Sequence, residues 1–343
     1  MKILNSLNLK QLILLFIVIF YSSSAFAFSW QFPFFDFLKK KNEVLVKKAP
    51  TNSTVINSPL HVKVGIYVLH VGKYDLQGAN YEMDFYLIFS CNQACNNLNF
   101  EIMNATNVNA QKVANHAGML VYRVRAELIK ANNLRNYPFD EHTLEIIIED
   151  RHLTNDKIIF EEDIAKTALD SQLNVVGFNL SPKWTAKVSN HYYKVFQRAS
   201  SSYKFSINIK RPVLAGFLKG ILPALIIVLC NFLALFIRTD HISQRLGVAT
   251  STLTALVVFH LNLTNSIPPL GYMTYADMFM FINYISLFIV LIEVVATLFF
   301  MESKHRKFAG GINRFATFAI PFGWIAMQTI VWFLYNPINS VVK

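Results

Sequence analysis

The chain has 343 residues, 53% of them hydrophobic and only 15% charged, with a mean hydropathy of +0.35. Soluble globular proteins run at about 45–50% apolar and about 25% charged, so an ordinary soluble protein is excluded. The formal net charge of +11 invites a nucleic-acid reading, but no basic stripe or nucleic-acid motif accompanies it, and no nucleic-acid partner is expected.

Residues 1–27 read as a signal peptide. Lys2 and Lys10 form its basic end, Leu12 to Phe20 is an apolar run short for a span, and Ala25-Phe26-Ala27 offers a cleavage site; an uncleaved anchor is the alternative. Residues 28–59 form an N-terminal linker, aromatic first and polar afterwards. From 60 to 212 the pattern has period two: Tyr81, Met83, Phe85, Leu87 and Phe89 share one face, as do Leu144, Ile146 and Ile148. Short alternating segments with no long amphipathic helix among them predict an exported antiparallel β-sandwich, Ig-like in plan. Within it, Cys91 and Cys95 (CNQAC) suit a small disulfide loop. Too few further ligands lie near them for a metal, and neither metal nor cofactor is expected. Glu161-Glu162-Asp163 reads either as a divalent-ion site or as a solvated loop.

Residues 213–335 change character. Four apolar stretches, Val213–Ile237, Leu246–Ile267, Tyr275–Met301 and Phe315–Tyr335, each approach the roughly 20 residues a membrane helix needs; a tail, 336–343, follows. Arg238, Arg245, Lys304, Arg306, Lys307 and Arg314 fall in or near two connections, while the connection NSIPPLGYMTY has no Lys or Arg. The positive-inside rule then places the N-terminal domain and the C-terminus outside.

The second stretch is polar on one side. Steps of three and four collect Ser243, Gly247, Ser251, Thr254, Val258, Leu261 and Asn265, hydroxylated or small in the inner half and apolar farther out. Such a stripe suits a pore lining with an apolar gate at Val258 and Leu261; small and hydroxyl residues serve ordinary helix packing equally well. One helix cannot enclose a pore, so the pore reading requires several copies in a ring. His260 reads as a proton sensor or a packing residue, and Glu293, an acid inside an apolar stretch, as a hydrogen-bonding link between helices.

Between two strands lies Tyr137-Pro138-Phe139-Asp140, an apolar turn where exposed turns are usually polar. With Arg211 before the first span, Pro223 within it, the YMTY that ends the proline-containing connection at Tyr272–Tyr275, and Ile292-Glu293-Val294, this order resembles the pentameric ligand-gated ion channels, or Cys-loop receptor superfamily, in its bacterial form. The resemblance covers about residues 60–335. It implies a homopentamer, four copies of itself around each subunit, in a bacterial inner membrane, with the sandwich periplasmic and membrane lipids around the helices. The turn should press on the membrane domain near Pro268 and Pro269, and Asp75 and Asp140 should flank Arg211 in a coupling cluster. The last hairpin, with Tyr192, Tyr193, Phe196, Arg198 and Tyr203, would be what remains of the agonist site, or plain strand packing. The segment after the second strand is much shorter than the family pattern. The agonist implied is a small molecule, a proton or a divalent ion. Gln244 stands where cation-selective relatives often have Glu, so ion selectivity is not read. A non-conducting membrane receptor is the alternative, disfavoured by the short inner connection ESKHRKFAGGINR; no nucleophile, base and acid set supports an enzyme.

Overall fold

The computed structural model describes residues 59–92, 95, 98–116, 118–303 and 305–335. The signal peptide, all but the last residue of the linker and the 336–343 tail lie outside the described residues.

Among the described residues ten strands form two facing sheets: β1 (Leu60–Asp75), β2 (Asn80–Cys91), β3 (Phe100–Ile102), β4 (Ala105–His116), β5 (Met119–Ile129), β6 (Glu141–Asp150), β7 (Ile158–Glu162), β8 (Ala168–Leu169), β9 (Asn179–Tyr193) and β10 (Arg198–Lys210). One sheet runs β4-β5-β2-β1-β7 with β8 also on β1; the other runs β3-β6-β10-β9. Alternation drives the packing. Tyr81, Met83, Phe85, Leu87 and Phe89 of β2 are buried, and they meet Leu144, Ile146 and Ile148 of β6 with Phe205, Ile207 and Ile209 of β10. Each such side chain contributes about 1.5–3 kcal/mol on full burial.

The sandwich is not wholly antiparallel. β7 and β8 pair with β1 in parallel. One edge of β1 is occupied by β2, and its other edge still carries backbone groups that need partners. A chain returning from the opposite sheet supplies them in two short pieces. β4 is an edge strand with a largely exposed face, and its Asn107, Asn109, Gln111 and Lys112 suit an unpaired edge.

Four helices follow, each long and apolar enough to cross a membrane: α1 (Val213–Phe236), α2 (Ile242–Thr264), α3 (Tyr275–Glu302) and α4 (Arg306–Tyr335). α1 contains a π-helical segment, Phe217–Ile221, just before Pro223. Proline has no N–H for the carbonyl one turn back, and a π segment is a usual accommodation. α4 begins before the predicted Phe315, because the basic residues Arg306, Lys307 and Arg314 are helical although they are not apolar. It buries only Ala309, Ala316 and Val331 and presents Phe315, Phe318, Phe322 and Phe333 outward.

Candidate functional site

α2 divides cleanly into two sides. Arg245, Ala249, Thr252, Leu256 and Leu263 recur at steps of three, four and seven and are buried. Thr252 Oγ1 donates to Asn231 Oδ1 of α1 at 3.0 Å, so this side faces the bundle. All seven stripe positions, Ser243, Gly247, Ser251, Thr254, Val258, Leu261 and Asn265, lie on the side that the protomer leaves exposed. Val258 and Leu261 are 54% and 58% exposed. Ser251 Oγ donates to Gly247 O at 2.7 Å and Thr254 Oγ1 to Thr250 O at 3.1 Å. Each hydroxyl oxygen thereby keeps acceptor capacity for something beyond the helix. His260 lies beside the stripe, half-buried, with Nδ1 3.1 Å from the Tyr284 hydroxyl and Nε2 3.7 Å from Asp277 Oδ1, a packing position between α2 and α3.

The apolar turn is the second part of the site. Tyr137-Pro138 is a cis peptide. Pro138 sits on α1: a Cβ added at Gly216 would strike the Pro138 carbonyl oxygen, and one at Gly220 would come within 2.6 Å of Pro138 Cγ. Tyr137 Oη is 3.0 Å from Ser266 Oγ in the α2–α3 connection. The Phe139 ring lies 5.9 Å from Tyr275 and 6.4 Å from Trp332. The main chain joins as well: the amides of Tyr275 and Ala276 donate to the carbonyls of Arg135 (2.8 Å) and Tyr137 (3.1 Å). These are the first amides of α3, which have no partner inside their own helix; the third, Asp277 N, is capped by Thr274 Oγ1. The bonded contacts therefore fall on either side of Pro268 and Pro269, at Asn265 and Ser266 before them and at Tyr272 and Tyr275–Ala276 after them.

Asp140 is the charged centre of the junction. Arg211 Nε and Nη2 reach its two oxygens at 2.7 and 3.1 Å, and His142 Nε2 lies 2.6 Å from Oδ2. Burial alone would raise the Asp140 pKa; the bonds from His142 and Arg211 outweigh it and hold the carboxyl at about 2. The Arg211 guanidinium also lies over the rings of Tyr137 and Phe178, 5.4 and 4.9 Å from their centroids. Asp75 is not in this cluster. Its Oδ1 accepts the Gln77 amide at 3.1 Å, closing its own turn, so Asp140 meets Arg211 without it and has His142 as its second partner.

On the β3-β6-β10-β9 sheet, Tyr193 and Arg198 are a cross-strand pair. Glu149 is buried beneath them and accepts from Tyr193 Oη at 2.7 Å, with His191 Nδ1 at 3.0 Å. Burial, then the bond to Glu149, push the Tyr193 hydroxyl up to about 12. Phe196 lies 6.2 Å from Tyr193 and 5.1 Å from the Arg198 guanidinium. The pairings Tyr192–Ala199 and Tyr203–Val188 put those two tyrosines on the other face of the ladder. Tyr203 is buried in the core and Tyr192 is 53% exposed beyond it, so neither joins Tyr193, Phe196 and Arg198. Cys91 and Cys95 are disulfide-bonded. Glu161 pairs with His61 and Asp163 with Lys166, and no group of three or more metal-type ligands occurs among the described residues.

Sequence reasoning missed Arg245, which it left among the inner-side charges. Arg245 is 0% exposed and bonds Glu293 at 2.7 Å, Asn313 at 2.6 Å and the Ala234 carbonyl at 3.0 Å. Part of the signal was present: an acid within an apolar stretch needs a partner, and Arg245 and Arg314 each stand one residue before a neighbouring stretch, so the sequence narrows the partner to two.

No protein-family profile matches the chain. It is 25% identical over 213 residues to a proton-gated ion channel of Gloeobacter violaceus, covering 62% of this chain and 58% of that protein. It is 21% identical over 197 residues to a gamma-aminobutyric acid receptor subunit beta of Caenorhabditis elegans, covering 56% of this chain and 34% of the receptor subunit. The chain thus spans less than two thirds of the length of either relative. The four apolar helices and these relatives make it a multi-pass membrane protein whose sandwich lies on the extracellular side. In sequence and in architecture, a β-sandwich followed by four membrane helices, the chain is a relative of the pentameric ligand-gated ion channels.

Proposed function

We propose that the chain is the subunit of a ligand-gated ion channel, five copies closing a ring in which each contributes the exposed side of α2 to a central pore. One observation carries the reading: the polar-then-apolar stripe coincides with the side of α2 that its own bundle leaves uncovered. A helix that used small residues for packing within its bundle would bury them. In this arrangement Ser251 and Thr254 solvate the ion, and rings of Val258 and Leu261 close the path by dewetting. An extracellular signal acts on the sandwich and reaches the α2–α3 connection through Arg211, Asp140 and the turn Tyr137–Phe139. Two sources fit that signal. Protons fit because one relative is a proton-gated channel; a small cation fits the rings of Tyr193 and Phe196 with Glu149 beneath. The bacterial inner membrane is the proposed location.

Leu261→Ser tests the gate. It replaces an apolar ring by hydroxyls, and a conducting leak in vesicles without any agonist is the expected result. Vesicles that stay as tight as those holding the unaltered protein would remove the gate from Leu261; tightness with Val258→Ser as well would favour a non-conducting receptor.

A further inference from the structure

Arg245 and Glu293 are charged, buried and remote from the coupling junction. They occupy the inner end of the bundle, where all four helices meet. Arg245 of α2 donates Nε to the Ala234 carbonyl of α1, and Nη2 to both Glu293 of α3 and Asn313 of α4. Thr297 Oγ1 donates to the other oxygen of Glu293 at 2.8 Å. A mere fastener would not need the charges, because Asn313 and Thr317 already tie α4 to the Leu235 carbonyl of α1 with neutral bonds at 3.3 and 3.5 Å.

The charge has a second consequence. A guanidinium stays charged in a protein, and Arg245 stands between Ser243 and Gly247, the innermost stripe positions, on the opposite side of the helix. In a ring of subunits its copies would encircle the inner mouth of the pore. Buried charges are screened far less than exposed ones. Arg238 and Asp240, by contrast, form an exposed pair at 3.2 Å nearby.

We infer that Glu293 determines the charge selectivity of the pore from outside it, by neutralising Arg245 at the inner end of the pore helix. Glu293 is a positioning residue that touches no permeating ion. The inference rests on the channel reading above, and it places Asn313 beside the guanidinium as a neutral neighbour that sets the net charge of the clasp to zero.

The test uses the full chain in planar bilayers with Leu261→Ser as parent, so that no agonist is required. Reversal potentials under a KCl gradient give the ratio of cation to anion permeability. Glu293→Gln leaves the cation uncompensated and should lower the ratio by at least an order of magnitude, because a single unit charge about 10 Å from the ion path at an effective dielectric constant near 20 already shifts it more than about tenfold and the ring carries five. Asn313→Asp adds a carboxylate of nearly the same shape and should raise it. Because the two variants act in opposite directions, at least one must move whatever ion the parent prefers. The double variant Arg245→Gln/Glu293→Gln should return to the parent ratio. A conducting parent with both single variants unmoved, or both moved in the same direction, would overturn the inference and leave the channel reading intact. Should Glu293→Gln fail to assemble, Asn313→Asp decides alone, by a raised ratio or, in a parent that already excludes anions, by changed rectification in symmetric KCl. A parent silent with Leu261→Ser and with Val258→Ser alike would overturn the channel reading and this inference together.

Discussion

Asp140 is buried, ionised and bonded on both oxygens, and its surroundings make its chemistry unusually fixed. Its folded pKa of about 2 lies below the unfolded value of about 3.9, so ionised Asp140 contributes about 2 kcal/mol of stability. The sign follows: the contribution is fully present above about pH 4 and is lost as the pH falls through about 2. Between pH 5 and 8 this residue should not respond at all, so if protons open the gate they act elsewhere. Asp140→Asn removes one side of a buried pair and should cost about 3–5 kcal/mol, read as a lower melting temperature in detergent at pH 7, with the penalty shrinking towards pH 2. The pair Arg211–Asp140 was legible in the sequence because both residues belong to an ordered set of landmarks. Asp75 was placed beside Arg211 and His142 was not read at all, because a turn motif fixes where the chain bends and not which side chain turns back on its own backbone. Arg245 was missed for a related reason. A basic residue near a span end looks like a solvated inner-side charge until a neighbouring helix brings an acid against it.

Among the elements, the helices were the most legible. Their apolar stretches are long, and the spans read from hydropathy match α1 and α3 to within a turn. The two ends of α4 differ in clarity: its apolar part was evident, but a helix continues through Arg306–Arg314 by backbone bonding that hydropathy does not register. The short strands β3, β7 and β8 were not legible. Two to five residues cannot establish a period, and β8 exists only because β1 offers an edge. At the junction the close approach of elements makes a sharp prediction. Gly216→Ala places a methyl group against the Pro138 carbonyl, where the partner is backbone and cannot swing aside. The variant should lose about 1–3 kcal/mol, and the turn should become a site of early cleavage in limited proteolysis while the sandwich core stays resistant. Unchanged cleavage would mean that α1 can shift to make room.

For the whole molecule, the decisive quantity is the number of subunits. Class averages of the detergent-purified protein viewed along the membrane normal should show a five-fold ring, with α4 outermost because its aromatic face has no partner in the protomer. A persistent monomer or dimer in lipid would remove the pore. Two main-chain hydrogen bonds between the halves, from Tyr275 and Ala276 to Arg135 and Tyr137, carry a last consequence. Backbone groups are the same whatever the side chains, so this part of the seam does not depend on residue identity. A sandwich transplanted from a distant relative would find the same two donors waiting at the start of α3. The two halves of the chain are to that extent interchangeable parts, free to diverge in side chains while the seam between them stays joined.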